Sequence, residues 1–513
     1  MASRSTYALW LAAAVGLLNA ARLLVGYYGS GHLLEGHTAG VWAALAYDFT
    51  QGEFYRPVLD ERGYGGTRYM PAFFAVHAGV AQLTGEFVLS GWVWLQLGVC
   101  LCLGAVYSLL RQQGLPRSRA LPIALLLLGT STYQRLSVQL RCDFLAAAGV
   151  FWCVLWVEKY LSGRRRGWLG LAVASLAAAF FTKFSSIYGL LWVAFRLAKA
   201  RCYAEAGAAV AAIIGLCGVG WWILEKTTSG RFGQNMGATA NTGSTFKSLI
   251  GATETLFVNL CYEDPMALML FLATIPFALI LGLCWRPAQL RLQWQAEGAS
   301  PAEFNFTLHR PYRMEGALSL VTWAVTLAIF TSPGTWLNHL VDPIMACLLV
   351  MGLLFQAPQT VGWAGCSCAL IAALHMITWV PGAPSVQATL TGTGAITFQS
   401  LESLRRRFDF HPPYLAENPS VPLALGHRPV LLDEFTLRVF LRNRHPVGLD
   451  FIERVRNRAF SLVVLEYESR WPAPLANEPE EFWNRQPPEF RFIRDYYQVA
   501  AVSPPLAVLL PKR

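Results

Sequence analysis

The chain is short of charge. Of its 513 residues only 14% are Asp, Glu, Lys or Arg, where a soluble domain of this size carries about 25%. Its 11 cysteines include no CxxC pair and no zinc-like spacing. The close pairs Cys100/Cys102 and Cys366/Cys368 lie inside apolar runs, where small buried thiols are the ordinary outcome. No GxxxxGK[ST] is present, which excludes a P-loop ATPase, and there is no GxGxxG, GxSxG or HExxH. No repeat of 20–50 residues is visible, which argues against a solenoid.

Hydrophobic residues are abundant, at 54% of the chain with a mean hydropathy of +0.39. They gather in about eleven apolar runs that approach the ~20 residues needed to cross a bilayer. The net charge of +10 sits in short basic clusters between these runs. That pattern fits cytoplasmic loops rather than a nucleic-acid-binding face, so no nucleic-acid partner is expected. Arg4 followed by apolar residues from Tyr7 to Tyr28 resembles a signal peptide but lacks a small-residue cleavage site, and reads as an uncleaved first helix.

Basic loops set the orientation. With the N-terminus inside, the loops Arg111–Arg119, Arg164–Arg166, Lys199–Arg201 and Arg286–Arg313 fall on the cytoplasmic side. This requires Met70–Leu83 to be an interfacial or re-entrant helix rather than a span. The remaining spans are then Phe87–Leu110, Leu121–Tyr133, Phe144–Tyr160, Trp168–Phe181, Ile187–Leu197, Ala206–Leu224, Met266–Trp285, Leu318–Phe330, Leu340–Phe355 and Val361–Trp379. The fold class expected is an α-helical polytopic membrane protein of about 11 transmembrane helices. Its membrane domain covers residues 1–380, with a first outer loop at 29–86. Residues 381–513 turn Pro-, Arg- and acid-rich and read as a small soluble α/β domain outside the cytoplasm. There "RPVLLDEF" and "FSLVVLEY" read as strands, and "TLRVFLRNR" and "DFIERVRNR" as helices.

Ionisable residues at a membrane border are functional candidates by default. Four places on the outer side carry them. Glu35 and His37 open a short amphipathic helix in the first loop. Partial desolvation there suits Glu35 to general-base work, although an acid favoured by the helix dipole reads the same way; Asp48 reads as a solvated face residue. "GYGGTRYMP" sets Arg68 between Tyr64 and Tyr69 after two glycines, which suits a sugar-bearing or phosphate ligand as well as it suits a plain turn. "QRLSVQLRCDF" places Arg141 and Asp143 at a span edge with Arg135, either as a helix-end pair or as half of a mixed-charge pocket. Lys183, in a stretch that positive-inside bias depletes, points to an anion. Asn338, His339 and Asp342 share a helix face and suit substrate hydrogen bonds or inter-span ties. Two ligands are too few for a metal site, so none is assigned, and a divalent cation remains an open requirement.

With these residues in place the chain resembles the GT-C superfamily of polytopic glycosyltransferases. The likeness is strongest to the bacterial branch similar to protein O-mannosyltransferases, aminoarabinose transferases and RgtA/B/C/D-like enzymes. It rests on an ordered set over residues 7–380: "LEGHTAGVWAALAYDFTQGEFYRP", "YGGTRYMPAFFAVHAGV", "RCDFLAAAGVFWCVLW", "SGRRRGWLGLAVASLAAAFFTKFSS" and "GTWLNHLVDPIMACLLVMGLL". The resemblance implies a sugar donor carried on polyprenyl phosphate and an acceptor lipid, glycan or protein. It also implies an active site on the outer face of a bacterial inner membrane. Glu35 is then the base and Asp143 its supporting carboxylate. Arg141 and Lys183, with Arg68, hold the donor phosphate, and His37, Tyr64, Tyr69, Asn338, His339 and Asp342 contact substrate. The chain departs from the family in its single first-loop Glu, where relatives often show Asp or an Asp-Glu pair, and in Arg-Cys-Asp where Arg-Pro-Asp is usual. The competing reading is a transporter or flippase of a lipid-linked sugar, which predicts midplane charges and broken spans instead of a charged outer rim.

Overall fold

The computed structural model describes residues 4–29, 36–85, 87–240, 246–264, 266–272, 274–275, 289–294, 302–307, 313–331, 337–355, 396, 398–466, 479–503 and 506–513. The first helix, α1, spans Arg4–Gly29 and is followed by α2 (Gly36–Thr50) and α3 (Pro71–Thr84) in the first loop. Pro71 occupies the first turn of α3, where its missing N–H costs nothing. Gly85 ends that helix in the left-handed conformation at φ 74°, its N–H bonded to the Ala81 carbonyl. Helix α4 (Phe87–Gln112) is a full-length apolar run ending in Arg111. The predicted span Leu121–Tyr133 is not continuous. It is broken into α5 (Arg117–Leu125), a 3-10 turn at Leu126–Gly129 and α6 (Ser131–Leu136). Pro122 lies inside α5, and Thr130 caps α6 through its side chain, so the chain restarts there.

Helices α7 (Asp143–Gly163), α8 (Arg166–Thr182), α9 (Tyr188–Lys199) and α10 (Tyr203–Thr227) run back and forth on short turns and pack on one another. Arg164 closes α7 at φ 53°. Basic residues Arg164–Arg166, Arg196 and Lys199 therefore collect at one end of this group, and Asp143 and Lys183 at the other. The segment expected to be a plain loop, Glu225–Pro265, instead holds α11 (Arg231–Ala240) and α12 (Phe246–Val258). Beyond α12 the chain bends by 115° into α13 (Met266–Leu272), as in a broken span or re-entrant loop. The basic loop contains an antiparallel hairpin, β3 (Gln289–Trp294) with β4 (Ala302–Thr307). Helices α14 (Arg313–Phe330) and α15 (Val341–Leu354) follow. The expected span Val361–Trp379 lies outside the described residues. Among those described, four helices are long and apolar enough to cross a membrane, or five if the bent pair counts as one span.

Beyond residue 396 a mixed sheet forms in the order β5-β6-β8-β7. Strand β5 (Leu415–Ala416) runs parallel to β6 (Val463–Glu466), and β8 (Leu506–Pro511) joins β6 to β7 (Tyr497–Ser503) in antiparallel fashion. Helices Glu434–Arg442 and Pro446–Arg456 occupy the segments read as helical. "RPVLLDEF" is not a strand of that sheet. Leu431 makes one parallel bridge to Tyr64 of the first loop, and the chain then turns into a helix that Asp433 caps. The short first-loop ribbon, β1 (Leu59–Asp60) with β2 (Gly63–Tyr64), is thus docked on the C-terminal segment and shares its core. Gly63 permits this approach: at φ 147°, a Cβ there would lie 2.0 Å from the Val430 carbonyl oxygen.

Candidate active site

Because α8 returns antiparallel along α7, its end meets the start of α7. Lys183 leaves α8 in extended conformation, and its Nζ donates to Asp143 Oδ1 at 2.5 Å. The two side chains are 15% and 5% exposed. The same oxygen accepts from Asn338 Nδ2 at 3.0 Å, delivered by the 3-10 turn Leu337–His339 that precedes α15. One turn on, Asp342 accepts from the Tyr188 hydroxyl at the start of α9, at 2.5 Å. The charges of Lys183 and Asp143 both reach Asp342. Four helices and a turn are therefore tied together by hydrogen bonds to two carboxylates.

His339 stands among these groups. Its backbone carbonyl accepts from Thr326 Oγ1 of α14 at 3.1 Å. Its ring Nδ1 is buried without a hydrogen-bond partner among the described residues. Lys183, Asp143, Arg68 and Arg141 all lie within electrostatic reach of it. An unpaired buried polar atom costs about 1–3 kcal/mol, and such atoms call for an explanation in ligand or solvent.

The first loop completes the cluster. Tyr69 stacks on Trp42 of α2 with ring centroids 4.4 Å apart, and its carbonyl accepts from the Tyr55 hydroxyl at 2.8 Å. Burial pushes the Tyr69 phenol well above its usual range, and the nearby Asp433 charge adds to this while Arg68 and Arg141 oppose it. Arg68 lies over the Phe435 ring at 4.5 Å, which fixes the guanidinium between loop and C-terminal segment. The two glycines before it serve the protein's own backbone: a Cβ on Gly65 would lie 2.1 Å from the Pro57 carbonyl oxygen. The N–H groups of Gly66 and Thr67 both donate to Asn235 Oδ1 of α11 at 3.0 Å.

Of the residues singled out in the sequence, the structure brings together Arg68, Tyr69, Arg141, Asp143, Lys183, Asn338, His339 and Asp342. Lys183 is an ion-pair partner of Asp143, and the charge of Arg141 acts on the same carboxylate. Tyr64 is elsewhere. It is 1% exposed in the C-terminal core, its hydroxyl donating to Asp450 Oδ2 at 2.8 Å and its ring set edge-on to Phe451, so it docks the loop and does not face a substrate. His37 is half-buried in the first turn of α2, with Nε2 3.4 Å from Thr38 Oγ1. Glu35 lies outside the described residues. Asp48 is no solvated face residue: it is 2% exposed and receives Arg56 in a two-point bond, Nε and Nη2 each at 2.8 Å. Arg135 pairs with Glu263. Sequence reasoning missed Tyr188, whose position at the start of the span after Lys183 was the available signal. It also missed Asn235, for which no signal exists in the sequence.

The fold has counterparts among solved structures. ArnT from Cupriavidus metallidurans bound to undecaprenyl phosphate matches over 96% of this chain and 97% of its own, at 14% identity and a TM-score of 0.53. Its apo state matches over the same shares at 13% identity and a TM-score of 0.57. The apo oligosaccharyltransferase of Archaeoglobus fulgidus matches over 91% of this chain and 70% of its own, at 11% identity and a TM-score of 0.56. No family model and no curated protein sequence matches the chain. At these identities the likeness speaks for the fold alone, which this chain shares with ArnT and with the oligosaccharyltransferase.

Proposed function

We propose that the protein is a membrane glycosyltransferase that moves a sugar from a polyprenyl-phosphate donor to an acceptor hydroxyl at the outer face of the membrane. The observation that carries this reading is the convergence of three cations, Arg68, Arg141 and Lys183, with Asp143 and the unpartnered His339 nitrogen where α7, α8 and α15 end or begin. A lipid-linked phosphate enters from the bilayer and needs fixed positive charge at that level. The fold supports the donor class, since ArnT was solved with undecaprenyl phosphate bound. In the eleven-span topology the cluster and residues 381–513 are extracytoplasmic, in a bacterial inner membrane.

The reaction we infer is inverting. Glu35 takes the proton of the acceptor hydroxyl as its oxygen attacks the anomeric carbon. The bond from that carbon to the phosphate oxygen breaks, and the polyprenyl phosphate leaves with the electron pair. Arg141 and Arg68 stabilise the charge gathering on the leaving phosphate, while Asp143, held by Lys183 and Asn338, fixes the position of Lys183. Asn338, His339, Asp342 and Tyr69 line the sugar's side of the site. Among the described residues no three His, Cys, Asp or Glu side chains are placed to hold a metal ion. A divalent cation would therefore need the donor phosphate or Glu35 as a further ligand.

The test is transfer from a panel of polyprenyl-phosphate sugars by the purified chain in lipid nanodiscs, with Glu35→Gln beside it. Transfer is expected from at least one donor, with a fall of ~10²-fold or more in the variant and unchanged protein levels. Full activity of Glu35→Gln would remove Glu35 as the base. Donor movement between leaflets without transfer would replace the enzyme by a flippase.

A further inference from the structure

A second charged cleft, of about 460 Å³, lies at the other end of α2 and is lined by Tyr47, Asp48, Gln51, Glu53, Arg62, Arg231 and Arg428. It shares no lining residue with the Asp143 cluster, and Asp48 lies about 18 Å along the helix from Gly36, given the α-helical rise. Its walls come from three separate parts of the chain: the first loop, the start of α11 and the C-terminal segment.

The charges in this cleft do not balance. Asp48 is already satisfied by the two-point bond from Arg56, whose Nη1 is in turn bound to the Pro429 carbonyl at 2.7 Å. Glu53 receives Arg428 Nη2 at 2.6 Å and Arg231 Nη1 at 3.7 Å. Arg428 Nε also lies 3.5 Å from Asp48 Oδ1, so two carboxylates face three guanidinium groups, those of Arg56, Arg231 and Arg428, and Arg62 adds a fourth that is exposed. Arg428 Nη1 is buried with no hydrogen-bond partner among the described residues. An excess of guanidinium charge with a buried donor left over, in a polar cleft larger than a single ion, matches a ligand that carries an oxyanion on a larger body.

We propose that this cleft is a second binding site, taking a phosphate or carboxylate group borne by the sugar acceptor. The word acceptor rests on the transferase reading above; the oxyanion site itself does not. Arg428, Arg231 and Arg62 grip the charged group at the C-terminal end of α2, while the hydroxyl to be glycosylated reaches the Asp143 cluster. The cleft thereby selects acceptors by a charge remote from the reacting oxygen.

Thermal unfolding of the full chain in zwitterionic nanodiscs tests the site without turnover. The probes are inorganic pyrophosphate, inorganic phosphate and acetate, each against chloride at equal ionic strength. A saturable rise of a few degrees is expected for wild type and for Lys183→Met. The rise should be lost in Arg62→Gln and Arg428→Gln; if Arg428→Gln does not fold, exposed Arg62 carries the test. A rise that persists in Arg62→Gln, or that disappears in Lys183→Met instead, overturns the site. Repeating the titration in nanodiscs of anionic lipid separates the sources. If lipid headgroups already saturate the response, the ligand is membrane lipid and the acceptor assignment falls. Where transfer is measurable, Arg62→Gln should raise the acceptor KM several-fold and leave the donor KM alone. An unchanged acceptor KM with a lost thermal response would keep the anion site and overturn its role in acceptor binding.

Discussion

Two buried aspartates in this chain meet a cation, and they are built differently. Asp48 takes both of its oxygens into a two-point bond with Arg56, each residue is 2% exposed, and the arginine's remaining end is bound to the Pro429 carbonyl. Asp143 takes a single lysine contact, shares that oxygen with Asn338, and has further cations and an unpartnered histidine nitrogen around it. The first pair is closed. The second leaves donors over, and donors left over in a buried site are what a bound anion needs. Identical residue chemistry therefore separates into a clasp and a binding site according to whether the hydrogen-bond inventory is exhausted.

The largest effect is expected at the clasp. Arg56→Met leaves the buried Asp48 carboxylate with only the 3.5 Å contact of Arg428 Nε, and breaking a buried pair costs about 3–5 kcal/mol. It also frees the Pro429 carbonyl and loosens the first loop from the C-terminal segment. Thermal unfolding in nanodiscs should show a large loss of stability or of folded yield. If Arg56→Met melted like wild type and lost only transfer, the division into clasp and site would be wrong.

At the open cluster the order of effects should reverse. Arg141→Met is expected to weaken donor use by about 1.5–3 kcal/mol, the scale of a charge-assisted hydrogen bond, read as a higher donor KM with little change in melting. Lys183→Met should weaken donor use similarly but also cost stability, because it removes the direct lysine contact to the buried Asp143 carboxylate. If both cations serve one phosphate, the double variant will fall short of the sum of the singles. Donor KM values at wild type in both singles would leave the phosphate without its ligands.

The contrast between these regions also separates what could be read in the sequence from what could not. Span edges were legible because charge is excluded from apolar runs: α1, α4, α7, α8 and α10 start and stop within a few residues of the expected positions, and the edges carry Asp143 and Lys183. That α7 and α8 return on each other follows from the short turn at Arg164–Arg165, so the meeting of those two residues follows from sequence-local facts. Pro122 was a readable warning that Leu121–Tyr133 would break. The contacts between the first loop and the C-terminal segment were not legible at all. Arg428 reaches Glu53 across 375 positions, and Tyr64 meets Leu431 across a similar gap. No periodicity encodes such a contact. For the same reason "RPVLLDEF" looked like a strand of its own sheet, when its backbone partner is a two-residue ribbon in the first loop.

The smallest effect expected comes from a third kind of buried carboxylate, one with like charges for neighbours. Glu417 is 8% exposed at the end of β5, and its Oε2 accepts the Glu466 N–H at 2.6 Å. Burial pushes its carboxyl well above the usual range, and the charges of Glu434 and Glu466 push further in the same direction. An unfolded glutamate titrates near pH ~4.3. The folded chain therefore holds this proton where the unfolded chain has released it. The stability this group contributes is whole below pH ~4.3 and drains away as pH rises through the raised folded value. Glu417→Gln keeps an oxygen acceptor for the Glu466 N–H and removes the titration. The variant should therefore match wild type below pH ~4.3 and exceed it in mildly alkaline solution. Hydrogen exchange at the Glu417 and Glu466 amides reports on this corner of the sheet directly. Protection should decline with rising pH, beyond the intrinsic base catalysis of exchange, in wild type and stay level in the variant. Parallel curves for the two proteins would mean that Glu417 is held as firmly charged as it is neutral, and that a carboxylate among carboxylates can be as closed a structure as Asp48 with its arginine.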